Sequence, residues 1–183
     1  MIDLFSRIWV FLLSLFFASF KPNTLKTQLD LAVVRIRQTR TKLESSVSQQ
    51  KDIAHTLINS NDPKSKIKVQ SMLQDENTAS ALEYILSTCE RLKSSVDLIV
   101  DSQNCPPDIK GDVHTVVYAS SRVDVPELNN VKDQIALKFG QKFVERALND
   151  RDLVVDRRVI AKLKPITSSD SNVEKYIETK KNK

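Results

Sequence analysis

Apolar residues recur at helical spacing along most of the chain. Leu25, Leu29, Ala32, Ile36, Leu43, Val47, Ala54 and Leu57 fall on one stripe at about 100° per residue, which predicts a helix from about Thr24 to Ser60 with Asn23 or Thr24 as its cap. A second periodic stretch carries Leu82, Ile85, Cys89, Leu92, Val96 and Ile99 at alternating spacings of three and four, a coiled-coil-like seam. Upstream of that seam, Val69, Met72 and Leu73 lie on roughly the opposite face, so the apolar side changes near Asp75 to Thr78. Such a helix either bends there or gives its two halves different neighbours, and Val69, Met72 and Leu73 become candidates to face a partner.

The two stretches are separated by Asn61-Asp62-Pro63, and no glycine occurs between Leu25 and Val100. Asn-Asp-Pro is turn chemistry, and proline cannot continue the first helix but is welcome at the first position of the second. A long antiparallel helical hairpin follows. Beyond it, Ser102 to Asp112 reads as a connector and Ile109 to Val123 as a short helix. Pro126-Glu127 opens a further helix whose face of Leu128, Val131, Ile135, Phe139 and Phe143 runs to about Leu148. Val155, Val159 and Leu163 form another apolar segment, and Ser169, Asp170 or Ser171 caps a last short helix with Val173, Tyr176 and Ile177. The fold class expected is all-α: a long hairpin carrying three or so shorter helices.

Residues 8–20 break the alternation. Ile8 to Phe20 is uncharged and almost wholly apolar, with Arg7 before it and Lys21 after. Thirteen residues are too few for a ~30 Å hydrocarbon core, which needs about 20. Three readings remain open: an interfacial anchor, a signal-like segment that would send the rest to a secretory compartment, or a helix buried in the bundle. The chain therefore divides into an apolar segment 1–20, a helical domain 21–178 and a basic tail 179–183.

Charge adds a polarity that the net +5 conceals. From Lys21 to Lys68 basic residues prevail, among them Lys26, Arg35, Arg37, Arg40, Lys42 and Lys51, whereas Asp75, Glu76, Glu83, Glu90, Asp97 and Asp101 dominate from Val69 to Asp101. A basic first arm suits anionic lipid or a neighbouring acidic helix. Lys26, Arg35, Arg37, Arg40 and Lys42 are the candidates for that contact.

Candidate chemistry is sparse. The two histidines, His55 and His114, accompany no nucleophile signature, and the two glycines, Gly111 and Gly140, form no phosphate loop. Cys89 and Cys105 have neither C-x-x-C nor zinc-ligand spacing, which fits a reducing compartment and no metal. The basic arm lacks interleaved aromatics for stacking on bases, so nucleic acid is not an expected partner. No enzyme and no cofactor are expected.

Several segments together resemble the increased-sodium-tolerance family. Phe20-Lys21-Pro22 and Leu31-Ala32-Val33-Val34-Arg35-Ile36 are similar to the entry into that family's first helix, and Ile67-Lys68-Val69, Ala81-Leu82-Glu83 and Cys89-Glu90 to its second. Cys105-Pro106, Tyr118 to Arg122, Pro126-Glu127-Leu128, Lys138-Phe139-Gly140, Val155-Asp156-Arg157 and Val173 to Tyr176 resemble its later elements, in order, over about residues 20–178. The resemblance implies an ESCRT-III-like helical domain, acting in vacuolar protein sorting and multivesicular-body formation at the cytoplasmic face of endosomes. It implies ESCRT-III subunits as partners, polymerisation with its own kind, and an acidic membrane surface against the first helix. Many members carry a C-terminal tail that binds the ESCRT-III-disassembling AAA ATPase. This chain stops at Lys183 without one, so the ATPase is expected only as a weak partner. A secreted or signal-anchored helical module is the alternative that the apolar N-terminus keeps open.

Overall fold

The structure, a computed structural model, describes residues 19–181. The expectations for the apolar segment up to Ala18 lie outside the described residues. Every regular element among the described residues is a helix, and the order is α1 Pro22–Asn59, α2 Ser65–Ser94, α3 Val96–Asp101, α4 Pro107–Ala119, α5 Glu127–Phe139, α6 Gln141–Leu148, α7 Arg157–Leu163 and α8 Ser171–Lys181. The expected all-α hairpin is the architecture found.

Helix α1 begins without the expected side-chain cap. Lys21 is the N-cap and makes no capping bond, while Pro22 occupies the first turn. A proline there has its φ already set and no N–H to leave orphaned, so Asn23 and Thr24 are not needed as caps. At the far end, Asn61 turns left-handed with φ 53°. Its N–H donates to the Ile58 carbonyl at 3.1 Å, and the Asp62 N–H to the Leu57 carbonyl at 2.9 Å. This is the 5→2 and 6→1 closure that asparagine tolerates and proline then prevents from continuing. Asp62 Oδ1 accepts from the Lys64 N–H at 2.8 Å, and α2 starts at Ser65, two residues after Pro63.

The arms lie antiparallel, and α2 is unbroken where its apolar side changes. Two buried clusters account for the change. The larger holds Leu25, Leu29, Ala32 and Ile36 of α1 against Leu82, Ile85, Cys89 and Leu92 of α2, with α4, α5 and α6 closing it. The smaller, near the turn, holds Val47, Ala54 and Ile58 against Val69 and Met72, closed by Val173 and Ile177 of α8. Each half of α2 thus serves a different neighbour. Within the span of the smaller cluster, between Val47 and Ala54, Gln50 is buried, and its amide donates to Asp75 Oδ2 at 2.7 Å across the arms.

Four boundaries differ from the expected ones, and the helix expected over Ile109 to Val123 is α4, which ends at Ala119. The seam through Ile99 is all buried, yet α2 stops at Ser94 and α3 resumes at Val96. The face from Leu128 to Phe143 belongs to two helices, because Gly140 at φ 90° separates α5 from α6. One inserted residue disturbs a 3.6-residue repeat too little to be read from apolar spacing alone. Helix α8 continues through Lys181, inside the stretch 179–183 expected as a tail.

Candidate interaction surface

Half of the six cations of α1 spend their charge inside the hairpin. Arg37 Nη2 donates to Glu90 Oε1 at 2.8 Å, Arg40 Nη2 lies 3.6 Å from Glu83, and Lys51 Nζ lies 3.3 Å from Glu76. Lys93 of α2 meets Asp30 of α1 in the opposite sense. Arg35 turns to the other flank, where its Nε donates to Glu127 of α5 at 3.0 Å. For Arg37, Arg40 and Lys51 the acidic neighbour expected for the first arm is therefore the chain's own second arm. Of the five basic candidates, Lys26 and Lys42 are exposed and make no ion pair among the described residues, while Arg35, Arg37 and Arg40 tie helices together.

The partner-facing candidates need correction. Val69 and Met72 are 0% exposed beneath α8, and Leu73 is half-buried against the same cluster. Apolar residues on the opposite face of α2 needed a cover, and the last helix of the chain provides it. With α8 seated, Val69 and Met72 offer no surface.

Other apolar residues do. Leu31 (48% exposed) and Val34 (52%) stand three residues apart on α1, on a side that no element among the described residues covers. Residues at that spacing are surface neighbours on a helix. The signal for them lay in the run Leu31-Ala32-Val33-Val34. Once Ala32 and Ile36 are given to the core, helical geometry turns Leu31 and Val34 away from it. Lys42, also exposed, follows on the same helix.

The remaining chemistry is structural. Helix α6 ends at Leu148, with Asp150 in the left-handed region at φ 46°. The Asp150 N–H donates to the Ala147 carbonyl and the Arg151 N–H to that of Arg146, so an aspartate fills the place a glycine often holds. Asp156 caps α7, accepting from the Arg158 N–H at 2.8 Å. Asp152 draws Lys110 of α4 to 2.7 Å and Arg146 of α6 into contact, and these two cations hold its carboxyl down at about 2. His114 lies 0% exposed beside this group. Neither ring nitrogen has a hydrogen-bond partner, Phe143 meets the ring edge-on at 4.8 Å, and Nε2 is 3.8 Å from Asp152 Oδ2. Burial pushes the imidazole's pKa down and outweighs the upward pull of Asp152. Cys89 and Cys105 are free thiols, pushed up by burial to about 12 and about 11. A buried neutral thiol is a packing group, not a nucleophile.

Among the described residues no group of three or more His, Cys, Asp or Glu side chains could hold a metal ion, and no helix is long and apolar enough to cross a membrane. A cleft of about 300 Å³ between the arms is lined by Arg40, Glu44, Lys51, Glu76 and Glu83 over Val47 and Ala79. Its charges already answer one another, so it presents no unpaired group to a ligand.

Residues 26–179 match the family model described as Ist1, regulator of Vps4 activity in the MVB pathway. The IST1-like protein of Dictyostelium discoideum is 30% identical over 154 residues, covering 84% of this chain and 42% of that protein. Vacuolar protein sorting-associated protein IST1 of Saccharomyces cerevisiae is 26% identical over 164 residues, covering 84% of this chain and 55% of the relative. The chain thus spans about half the length of the curated relatives it matches. In fold it is similar to the crystal structure of the S. cerevisiae Ist1 N-terminal domain in complex with the Did2 MIM motif. The TM-score is 0.76 at 24% identity, over 91% of this chain and 93% of the other.

Proposed function

Because this chain belongs to the Ist1 family of regulators of Vps4 activity in the MVB pathway, we propose that it is a non-enzymatic regulatory subunit of ESCRT-III-type assemblies on endosomal membranes. It binds ESCRT-III-type subunits through its helical domain and in that way regulates the AAA ATPase that disassembles them. The yeast relative's domain was crystallised with the MIM motif of Did2, and a subunit bearing such a motif is the partner we assign.

The observation that carries this reading is the pair Leu31 and Val34, exposed on α1 with nothing among the described residues to cover them. A rod-like helical hairpin with no formed metal centre among its described residues and an apolar strip on its long face is built for lateral contact. Apolar residues exposed together on one helix face mark protein contact surfaces. Lys42 supplies charge on the same side of α1, for an acidic subunit, whereas Arg37 and Arg40 pair with the second arm and Arg35 with α5.

A pull-down of the full chain with purified ESCRT-III subunits, beside Vps4 as a separate bait, tests the proposal. Specific capture of at least one subunit is expected, reduced about tenfold or more by Leu31→Glu with Val34→Glu, since charging a buried contact of this kind costs roughly 1.4 kcal/mol or more. Capture of no subunit would sink it.

A further inference from the structure

We propose that the tip of the hairpin is a membrane-contact site, at which Ile67, between Lys64 and Lys68, enters the headgroup boundary of an anionic bilayer. This goes beyond the assembly reading and requires no ESCRT-III subunit.

Ile67 is 66% exposed, on the first turn of α2. Leu57, at the end of α1, faces it across an open cavity of about 500 Å³ whose other lining residues are Lys64, Lys68 and Ser71. Lys64 is exposed and Lys68 half-buried, and neither meets a carboxylate at ion-pairing distance among the described residues. On the other side of the turn, Lys66 lies 3.8 Å from Glu174, and Lys181 borders a second cavity of about 300 Å³ with Pro63 and Ile177. Asp62 is committed to the Lys64 N–H at the turn. The end of the rod is thus an apolar point with Lys64 and Lys68 beside it, while Asp62, Glu174, Lys66 and Lys181 mark the other side of the turn.

That geometry suits a bilayer better than a protein helix. A helix docks in a groove that takes anchors at i, i+3 or i+4, and i+7, whereas the apolar floor here is Leu57 and Ile67, one turn deep. Lysines reach the surface on flexible apolar stems. Anionic lipid attracts such charges, and a single aliphatic side chain can sit at the acyl boundary beneath them. Nothing in the described fold uses the charge of Lys64 and Lys68, unlike that of Arg37, Arg40 and Lys51 on the long face.

Two measurements on the full chain decide it. In co-sedimentation, phosphatidylserine-containing vesicles should bind the chain, and Lys64→Glu with Lys68→Glu should weaken binding about tenfold or more, as expected for reversing two interfacial charges. The same reversal at Lys26 and Lys42 should change it less than about threefold. In a Trp9→Phe background, which removes the one native tryptophan, Ile67→Trp should shift the indole emission to the blue with phosphatidylserine vesicles and not with phosphatidylcholine alone. That signal reports on the tip, whatever else in the chain meets the vesicle. Emission from the Ile67→Trp chain that stays unshifted, or sedimentation indifferent to the Lys64 and Lys68 reversal, overturns the proposal and leaves the patch to an acidic protein helix. Either failure leaves the pull-down with ESCRT-III subunits standing on its own.

Discussion

Arg37 and Glu90, one on each arm of the hairpin, meet at 2.8 Å with both side chains about half-exposed. The contact turns the opposite charges of the arms into register. It is one of a series along the same flank, with Arg40 to Glu83 and Lys51 to Glu76. Exposed pairs of this kind contribute little each, about 0.2–1 kcal/mol. Their use here is to penalise a slipped register, in which like charges would face one another.

Arg37→Glu should therefore destabilise the chain by about 1 kcal/mol or less, and Glu90→Arg in the same chain should recover most of that loss. Urea melts of the two single variants and the double variant give the coupling. A coupling of zero at low salt would remove the pair from the account.

Core and surface leucines should separate cleanly. Leu82 is 0% exposed in the larger cluster, and Leu82→Ala should cost about 2–5 kcal/mol. Leu31→Ala, at a half-exposed position, should fall within about 0.5 kcal/mol of the parent chain. Thermal unfolding followed by circular dichroism reads both. A large loss from Leu31→Ala would mean that the residue serves the fold, not a partner.

Gly140 carries the break between α5 and α6 by its conformation alone. A Cβ at this position meets nothing within 4 Å, but φ is 90°, where side chains are strained. Gly140→Ala should cost about 1–3 kcal/mol, again by urea melts, with the helical signal retained.

The hairpin was legible because its signals are local and long: turn chemistry at Asn61-Asp62-Pro63, and a seam from Leu82 to Ile99 that is buried at each of its positions. The switch of apolar face near Asp75 was also legible, and two neighbours for α2 follow from it. What the local pattern does not carry is which neighbour. Val69 and Met72 are matched by Val173 and Ile177, about a hundred positions downstream, and no local periodicity ties such segments together. The destination of the basic charge was hidden for the same reason. Arg37 and Glu90 are 53 residues apart, and only the register of the closed hairpin pairs them. Gly140 was visible as a residue but not as a break, because the stripe resumes at Phe143 almost in phase.

His114 makes the larger cluster sensitive to acid. Burial lowers its folded pKa below the ordinary 6.5, while Asp152 and Asp150 pull upward and Lys110 and Arg146 push down. Because the unfolded chain binds the proton more readily, stability is full above about 6.5 and declines as pH falls below it. His114→Leu should flatten that decline between neutral pH and about 5. The carboxyl of Asp152 acts lower, since a folded value of about 2 against 3.8 gives a contribution lost only as pH falls through that interval. Unfolding free energies measured across pH separate the two. A parent chain equally stable at pH 7 and 5 would contradict the role given to His114.

The central claim is that this helical domain binds an ESCRT-III-type subunit. Isothermal titration of the full chain with a peptide carrying the MIM motif of a Did2-type subunit tests it most directly. The account predicts saturable one-to-one binding that survives Lys64→Glu with Lys68→Glu at the tip. A flat titration, with the chain folded by circular dichroism in the same buffer, would contradict it.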